Sequence, residues 1–171
     1  MPTVCSVPTL ATGGWNLNSP YSVAVSGSKA YLVNWVSNDM TICTLDGGGL
    51  PIECSVPTVL GGFNMNAPTS VAISGSKAYV TNNYASLTIC TLDGTGIPTS
   101  CSVVTVPGGL NASDLFRVSV FGSKLYLGNV SPTNTITICT LDGAGIPTSC
   151  SVPTVPGGFN IDSPYGITLT A

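Results

Sequence analysis

The sequence predicts an all-β chain of β-propeller blades, each blade a four-stranded antiparallel sheet. Three observations predict it. The first is an internal repeat. Cys-Ser-Val begins at Cys5, Cys54, Cys101 and Cys150, with starts 49, 47 and 49 residues apart, and Ile-Cys-Thr-Leu-Asp-Gly recurs between them around Cys43, Cys90 and Cys139. A repeat of this length is one supersecondary unit that cannot bury its apolar face alone, so copies must stack. The second is the punctuation inside each copy: short β-branched runs alternate with Gly-Ser and Asp-Gly turn signals, giving four strands in about 48 residues, the signature of a blade. The third is that no segment carries an apolar 3.6-residue period of useful length, so helices should be nearly absent.

The second copy shows the elements in order. Thr69–Ser74 is an apolar, β-branched strand A, and Gly75-Ser76 turns it. Lys77–Asn82 is strand B, Asn83–Ala85 a loop, and Ser86–Leu92 an alternating strand C. Asp93-Gly94-Thr95-Gly96 turns the chain into strand D, which is expected to run from Ile97 to Val106. Pro51, Pro57, Pro98, Pro147 and Pro153 fall in the D strands. Proline is tolerated at sheet edges and strand starts, and it discourages unwanted pairing there, which places strand D outermost.

Aligned in this way, residues 1–171 form a single repeat domain. It opens with a lone outer strand D over 3–10, continues through blades at 19–60, 68–106 and 114–155, and closes with a lone inner strand A over 165–170, making 14 strands. The terminal strands A and D would share a blade with B and C missing. Closure within one chain therefore fails, and either neighbouring copies complete the partial blade or the chain is part of a longer array. A head-to-tail join of this kind closes into a ring or propagates as a filament.

Tyr79-Val80-Thr81-Asn82 is the element that names the YVTN-type β-propeller repeats, which are similar to NHL repeats, and the chain resembles that family over nearly its whole length. Tyr31-Leu32-Val33-Asn34 and Tyr126-Leu127-Gly128-Asn129 are variants. Gly62-Phe63-Asn64 before Pro68, and Gly158-Phe159-Asn160 before Pro164, match the family's link into the inner strand. The resemblance implies the propeller fold. It leaves function open, because family members include surface-layer and cell-surface proteins, binding proteins and some enzymes. This chain departs in having too few blades and in carrying paired cysteines in every repeat.

Cys43 and Cys54, Cys90 and Cys101, and Cys139 and Cys150 are each 11 positions apart. A hairpin centred on the Asp-Gly turn sets each pair opposite on strands C and D, at the short spacing of a non-hydrogen-bonded pair. Three disulfides are expected, with Cys5 left unpaired or intermolecular. Disulfides in every repeat imply an oxidising compartment, hence a secreted or cell-surface protein.

Composition narrows the function classes. The 4 Lys+Arg and 7 Asp+Glu make only 6% charged and a net charge of −3, against roughly 25% charged in ordinary soluble chains. No basic footprint points to nucleic acid, and weak self-repulsion tolerates close association of copies. No apolar run approaches a membrane span. The first residues lack the basic and apolar regions of a signal peptide, so the chain reads as a mature form or a piece of a longer one.

No histidine is present, carboxylates do not cluster, and Glu53 is the only glutamate. A general base, a metal site and a cofactor are therefore not expected. The chain reads as a non-enzymatic extracellular structural protein whose incomplete blade is completed by neighbouring copies. The alternative is a lectin-like module binding a carbohydrate or protein through the B–C and D–A loops. For that alternative Trp15, Trp35, Phe63, Tyr84 and Phe159 are candidate ligand contacts, Trp35 and Tyr84 foremost because they break the repeat. The gap-plugging reading is favoured for Trp15, Phe63 and Phe159, with the following Asn shaping the turn. On the opposite face, Lys29, Lys77 and Lys124 with Asp46, Asp93 and Asp142 suggest a polar ring, or more simply turn chemistry. Asn111 and Asn129 match the N-glycosylation sequon.

Overall fold

A computed structural model describes residues 7–10, 14–110, 114–130, 132–158, 161 and 166. The described residues contain no helix and twelve strands. These are β1 (Pro20–Ser26), β2 (Lys29–Asn34), β3 (Asp39–Leu45) and β4 (Pro51–Ser55) in blade 1. Blade 2 holds β5 (Pro68–Ser74), β6 (Lys77–Asn82), β7 (Ser86–Leu92) and β8 (Pro98–Val103). Blade 3 holds β9 (Leu115–Phe121), β10 (Lys124–Asn129), β11 (Thr135–Leu141) and β12 (Pro147–Ser151). Each blade is a four-stranded antiparallel meander in chain order, so the all-β propeller-type architecture stands.

The strands are shorter at their outer ends than expected. β4 and β12 stop at Ser55 and Ser151, so Pro57 and Pro153 follow strand D rather than lie in it. Pro51, Pro98 and Pro147 each open a D strand beside a register shift in the C–D ladder, where a missing N–H costs no regular bond. Val7–Leu10 carry no strand assignment, and the rest of the expected outer strand, Cys5 included, lies outside the described residues, as does the expected inner strand apart from Gly166.

All three expected disulfides are present. Cys43–Cys54, Cys90–Cys101 and Cys139–Cys150 each join cross-strand partners of the outer hairpin, with Cα atoms 4.0 Å apart. They tie each edge strand to its blade and suit an oxidising compartment.

The core lies between blades. Strand alternation gives each blade two faces. One carries the tyrosine of strand B: Tyr31, Val33, Met40 and Ile42 in blade 1. The other carries the disulfide: Val71, Ala78, Val80, Cys90 and Cys101 in blade 2. These two sets form one buried cluster. The next joint repeats it, with Tyr79, Leu87 and Ile89 of blade 2 against Val118, Leu125, Leu127 and Cys139 of blade 3. Inner strands are further linked where the Val71 N–H donates to Ser22 Oγ at 3.4 Å and the Val118 N–H to Ser70 Oγ at 3.3 Å.

Candidate functional site

The loops leading into each blade are shaped by structural side chains. Gly61 and Gly62 adopt φ of 77° and 80°, and Asn64 φ of 51°, a left-handed path that glycine and asparagine take at least cost. Asn64 Nδ2 then donates to the Cys101 carbonyl at 2.8 Å, and Asn16 Nδ2 to the Cys54 carbonyl at 2.9 Å. Trp15 packs against Ala30, Cys43 and Cys54, while Phe63 packs into the joint between blades 1 and 2. Both rings are partly buried wedges of the core, the packing that the gap-plugging reading expects. Phe159 lies outside the described residues.

The last residue of each B strand is a fully buried asparagine: Asn34, Asn82 and Asn129. Asn34 Nδ2 donates to Asp39 Oδ1 at 2.7 Å and Thr41 Oγ1 at 2.9 Å, and its Oδ1 accepts from the Asn18 N–H at 3.2 Å. Asn82 does the same with Thr88 Oγ1 and the Asn66 N–H. Asn129 Nδ2 donates to Thr135 Oγ1 and Thr137 Oγ1. The sequon reading of Asn129 is therefore corrected: its amide is enclosed and its N–H groups are spent inside the blade. Asn111 lies outside the described residues.

On the turn face, Asp46, Asp93 and Asp142 each accept two backbone N–H bonds within their own Asp-Gly turn, at 2.8–2.9 Å. The N–H donors, led by Ile97, hold the Asp93 carboxyl below its usual value. Lys29, Lys77 and Lys124 each reach the strand-C threonine opposite, at 2.8 Å. The repeating Lys and Asp residues are thus turn and strand chemistry. Among the described residues no group of three His, Cys, Asp or Glu side chains could hold a metal.

The turn face also carries two inter-blade clamps. Tyr31 Oη donates to the Gly96 carbonyl of blade 2 at 3.0 Å, and Tyr79 Oη to the Gly145 carbonyl of blade 3 at 2.9 Å. Burial, then the nearby Asp93 or Asp142 charge, pushes both phenols up from their usual value.

The opposite end of the inner strands holds a departure from this regularity that gathers aromatic side chains. Tyr21 stacks on Trp35 with centroids 4.9 Å apart, and meets Phe116 of blade 3 edge-on at 6.3 Å. Arg117 lies 6.0 Å from the Phe116 centroid and donates to the Thr69 carbonyl at 3.0 Å. Trp35 is thus brought into a cluster, whereas Tyr84 stands 75% exposed in the loop between β6 and β7. Sequence reasoning missed Tyr21, Phe116 and Arg117. Their signal was available: Tyr21 and Phe116 occupy the position of Thr69, and Arg117 that of Ser22 and Ser70.

The largest irregularity is a face. Val23 of β1 is 59% exposed, while its repeat equivalents Val71 and Val118 are 5% and 6%; Val25 is 64% exposed, while its equivalents Ile73 and Val120 are partly buried. Leu10 and Trp15 cover the disulfide face of blade 1 at Ala30, Cys43 and Cys54, but its inner-strand part at Val23 and Val25 is exposed where Val71 and Val118 of blades 2 and 3 are covered. At the other end, Tyr126, Ile136 and Ile138 of blade 3 are half-buried, where Tyr31, Tyr79, Ile42 and Ile89 are buried.

No protein-family model matches the chain, and no curated protein matches it. Solved structures do. A protein of Bacteroides uniformis provisionally assigned as a 6-phosphogluconolactonase aligns at TM-score 0.60 and 13% identity, covering 88% of this chain and 44% of its own. One of Bacteroides fragilis with the same provisional assignment aligns at TM-score 0.58 and 19% identity, covering 81% of this chain and 38% of its own. A glutaminyl cyclase of Myxococcus xanthus aligns at TM-score 0.48 and 11% identity, covering 75% of this chain and 50% of its own, too loosely to carry an argument. The chain thus spans less than half the length of the two better matches, and at these identities the likeness shows the propeller-type fold alone. It also corrects the expectation that the chain is not an enzyme. That expectation rested on missing histidine and unclustered carboxylates, yet solved structures of this fold carry provisional enzyme assignments. Composition does not exclude catalysis on such a scaffold.

Proposed function

We propose that the chain is an extracellular assembly module of the YVTN type, a three-blade propeller sector whose open faces are closed by other copies. The observation that carries this reading is the exposure of Val23 against the burial of its equivalents Val71 and Val118, with Val25 exposed beside it. Exposed apolar residues of an inner strand mark an interaction surface, and the chain itself supplies a shape that covers them. Tyrosine faces cover disulfide faces at both internal joints, and the tyrosine face of blade 3 is the matching surface for blade 1 of a second copy. Such a contact is heterologous and builds a ring or a filament. The three disulfides support a secreted or surface setting, and a net charge of −3 opposes the contact little.

Size-exclusion chromatography with light scattering, and negative-stain microscopy, test the proposal. The expected result is concentration-dependent assembly that Val25→Asp abolishes without loss of β-sheet circular dichroism. A stable monomer at high concentration refutes it.

A second reading rests on the Tyr21–Trp35–Phe116 cluster: a binding site for a carbohydrate or a protein side chain on stacked rings. A glycan array, repeated with Trp35→Ala, tests it; no signal, or one the substitution leaves intact, removes this reading.

A further inference from the structure

The turn of blade 1 contains a receptor for a tyrosine that no described residue fills. Gly96 and Gly145 have φ of +81° and +77°, and a Cβ on either would stand 2.6 or 2.7 Å from the clamping hydroxyl of Tyr31 or Tyr79. Glycine is required there twice over, by backbone conformation and by the hydroxyl above it. Gly49 is their equivalent in blade 1, with φ of +80° and the same turn: its N–H donates to the Asp46 carbonyl at 3.0 Å, as those of Gly96 and Gly145 do to Asp93 and Asp142. Yet nothing lies within 4 Å of a Cβ built on Gly49. The backbone has the clamped shape without the clamp.

The complementary half lies on blade 3. Tyr126 pairs across strands with Ile138, as Tyr31 does with Ile42 and Tyr79 with Ile89. It is half-buried where the two clamping tyrosines are 2% and 1% exposed, and no blade among the described residues follows it. One end of the sector therefore presents a receiving carbonyl, and the other the hydroxyl that fits it.

We infer that Tyr126 of one copy donates its hydroxyl to the Gly49 carbonyl of the next, setting the register of a head-to-tail joint. This deepens the assembly reading and rests on it. Lys124 then lies over Gly49 of the neighbour, as Lys77 Cγ lies 3.2 Å from a Cβ on Gly145. The inner strands of this joint lack the serine link, because Arg117 stands where Ser22 and Ser70 accept the next blade's N–H. The tyrosine clamp, made at both internal joints among the described residues, is a directional bond that the external joint can share.

Sedimentation equilibrium of the wild-type chain, Tyr126→Phe, Gly49→Ala and the double variant tests the register. Tyr126→Phe removes one oxygen from a half-exposed ring, so it keeps the fold and is expected to weaken association about 5-fold, the worth of one net hydrogen bond. Gly49→Ala is expected to weaken it about 10-fold or more through collision with the incoming hydroxyl, and much less on the Tyr126→Phe background. Thermal melts at low concentration confirm that each variant is folded. Association of the wild type unchanged by either single substitution overturns the register while leaving assembly standing. A wild type that never associates overturns both.

Discussion

The internal clamp can be weighed by comparing Gly145→Ala with Gly49→Ala in dilute, single-copy protein. Both positions hold left-handed backbone, φ +77° and +80°, so alanine costs about 1–2 kcal/mol at each. At Gly145 the new methyl also meets Tyr79 Oη at 2.7 Å and Lys77 Cγ at 3.2 Å. The hydroxyl must then leave the carbonyl it binds at 2.9 Å, adding about 1 kcal/mol. Gly145→Ala should therefore cost about 2–3 kcal/mol, and the difference between the two variants about 1 kcal/mol, a further fall of about 2–4 °C in Tm for a chain of this size. Urea unfolding followed by circular dichroism measures it. On a Tyr79→Phe background the excess should vanish, because both changes remove the same bond. Equal costs at the two glycines, or an excess that survives Tyr79→Phe, refute the clamp.

Three further outcomes follow from the same geometry. Replacing Cys90 and Cys101 together by alanine should cost about 2–3 kcal/mol, the chain-entropy worth of a short closed loop, read from the shift in urea midpoint. Asn82→Ala should cost about 1–3 kcal/mol, because it takes the Nδ2 donor from the buried Thr88 Oγ1 and the Oδ1 acceptor from the Asn66 N–H; a surface-like loss near zero would contradict the buried network. The pH profile should fall at both ends. Asp93 is lowered by the N–H groups it accepts, so its contribution is present above the ordinary carboxyl range and is lost as pH falls through its lowered folded value. Tyr31 and Tyr79 are raised, so theirs is present below the ordinary tyrosine value and is lost as pH rises through the raised one. Spectrophotometric titration should show a late-ionising fraction that Tyr31→Phe and Tyr79→Phe remove.

Blade architecture was legible in the sequence because its determinants are local. Strand length, Asp-Gly turns and the spacing of 11 between cysteines act within one copy, and they placed β6 and β7 and all three cysteine pairings correctly. Outer strand ends were overextended because the Cys-Ser-Val runs stay apolar beyond Ser55 and Ser151. Their later residues turn from the ladder toward the next blade, as Val59 does in entering the joint core.

The site was less legible. A sequon marks Asn129 only as a triplet, while its burial depends on the threonines of the neighbouring strand. Tyr21 and Phe116 stand 95 residues apart and meet only because blade stacking brings two inner strands together. The exposure of Val23 has no sequence signal at all: Val23 and Val71 are the same residue in the same motif, and what separates them is a covering blade that Val71 has and that Val23 lacks among the described residues.

The most direct measurement of the central claim is an isotope-filtered NOE experiment on mixed labelled and unlabelled chains. It predicts intermolecular contacts from the Val23 and Val25 methyls of one copy to Tyr126, Ile136 and Ile138 of another. Contacts of Val23 and Val25 with the same residues of a second copy, or no intermolecular contact at concentrations where the chain associates, would contradict it.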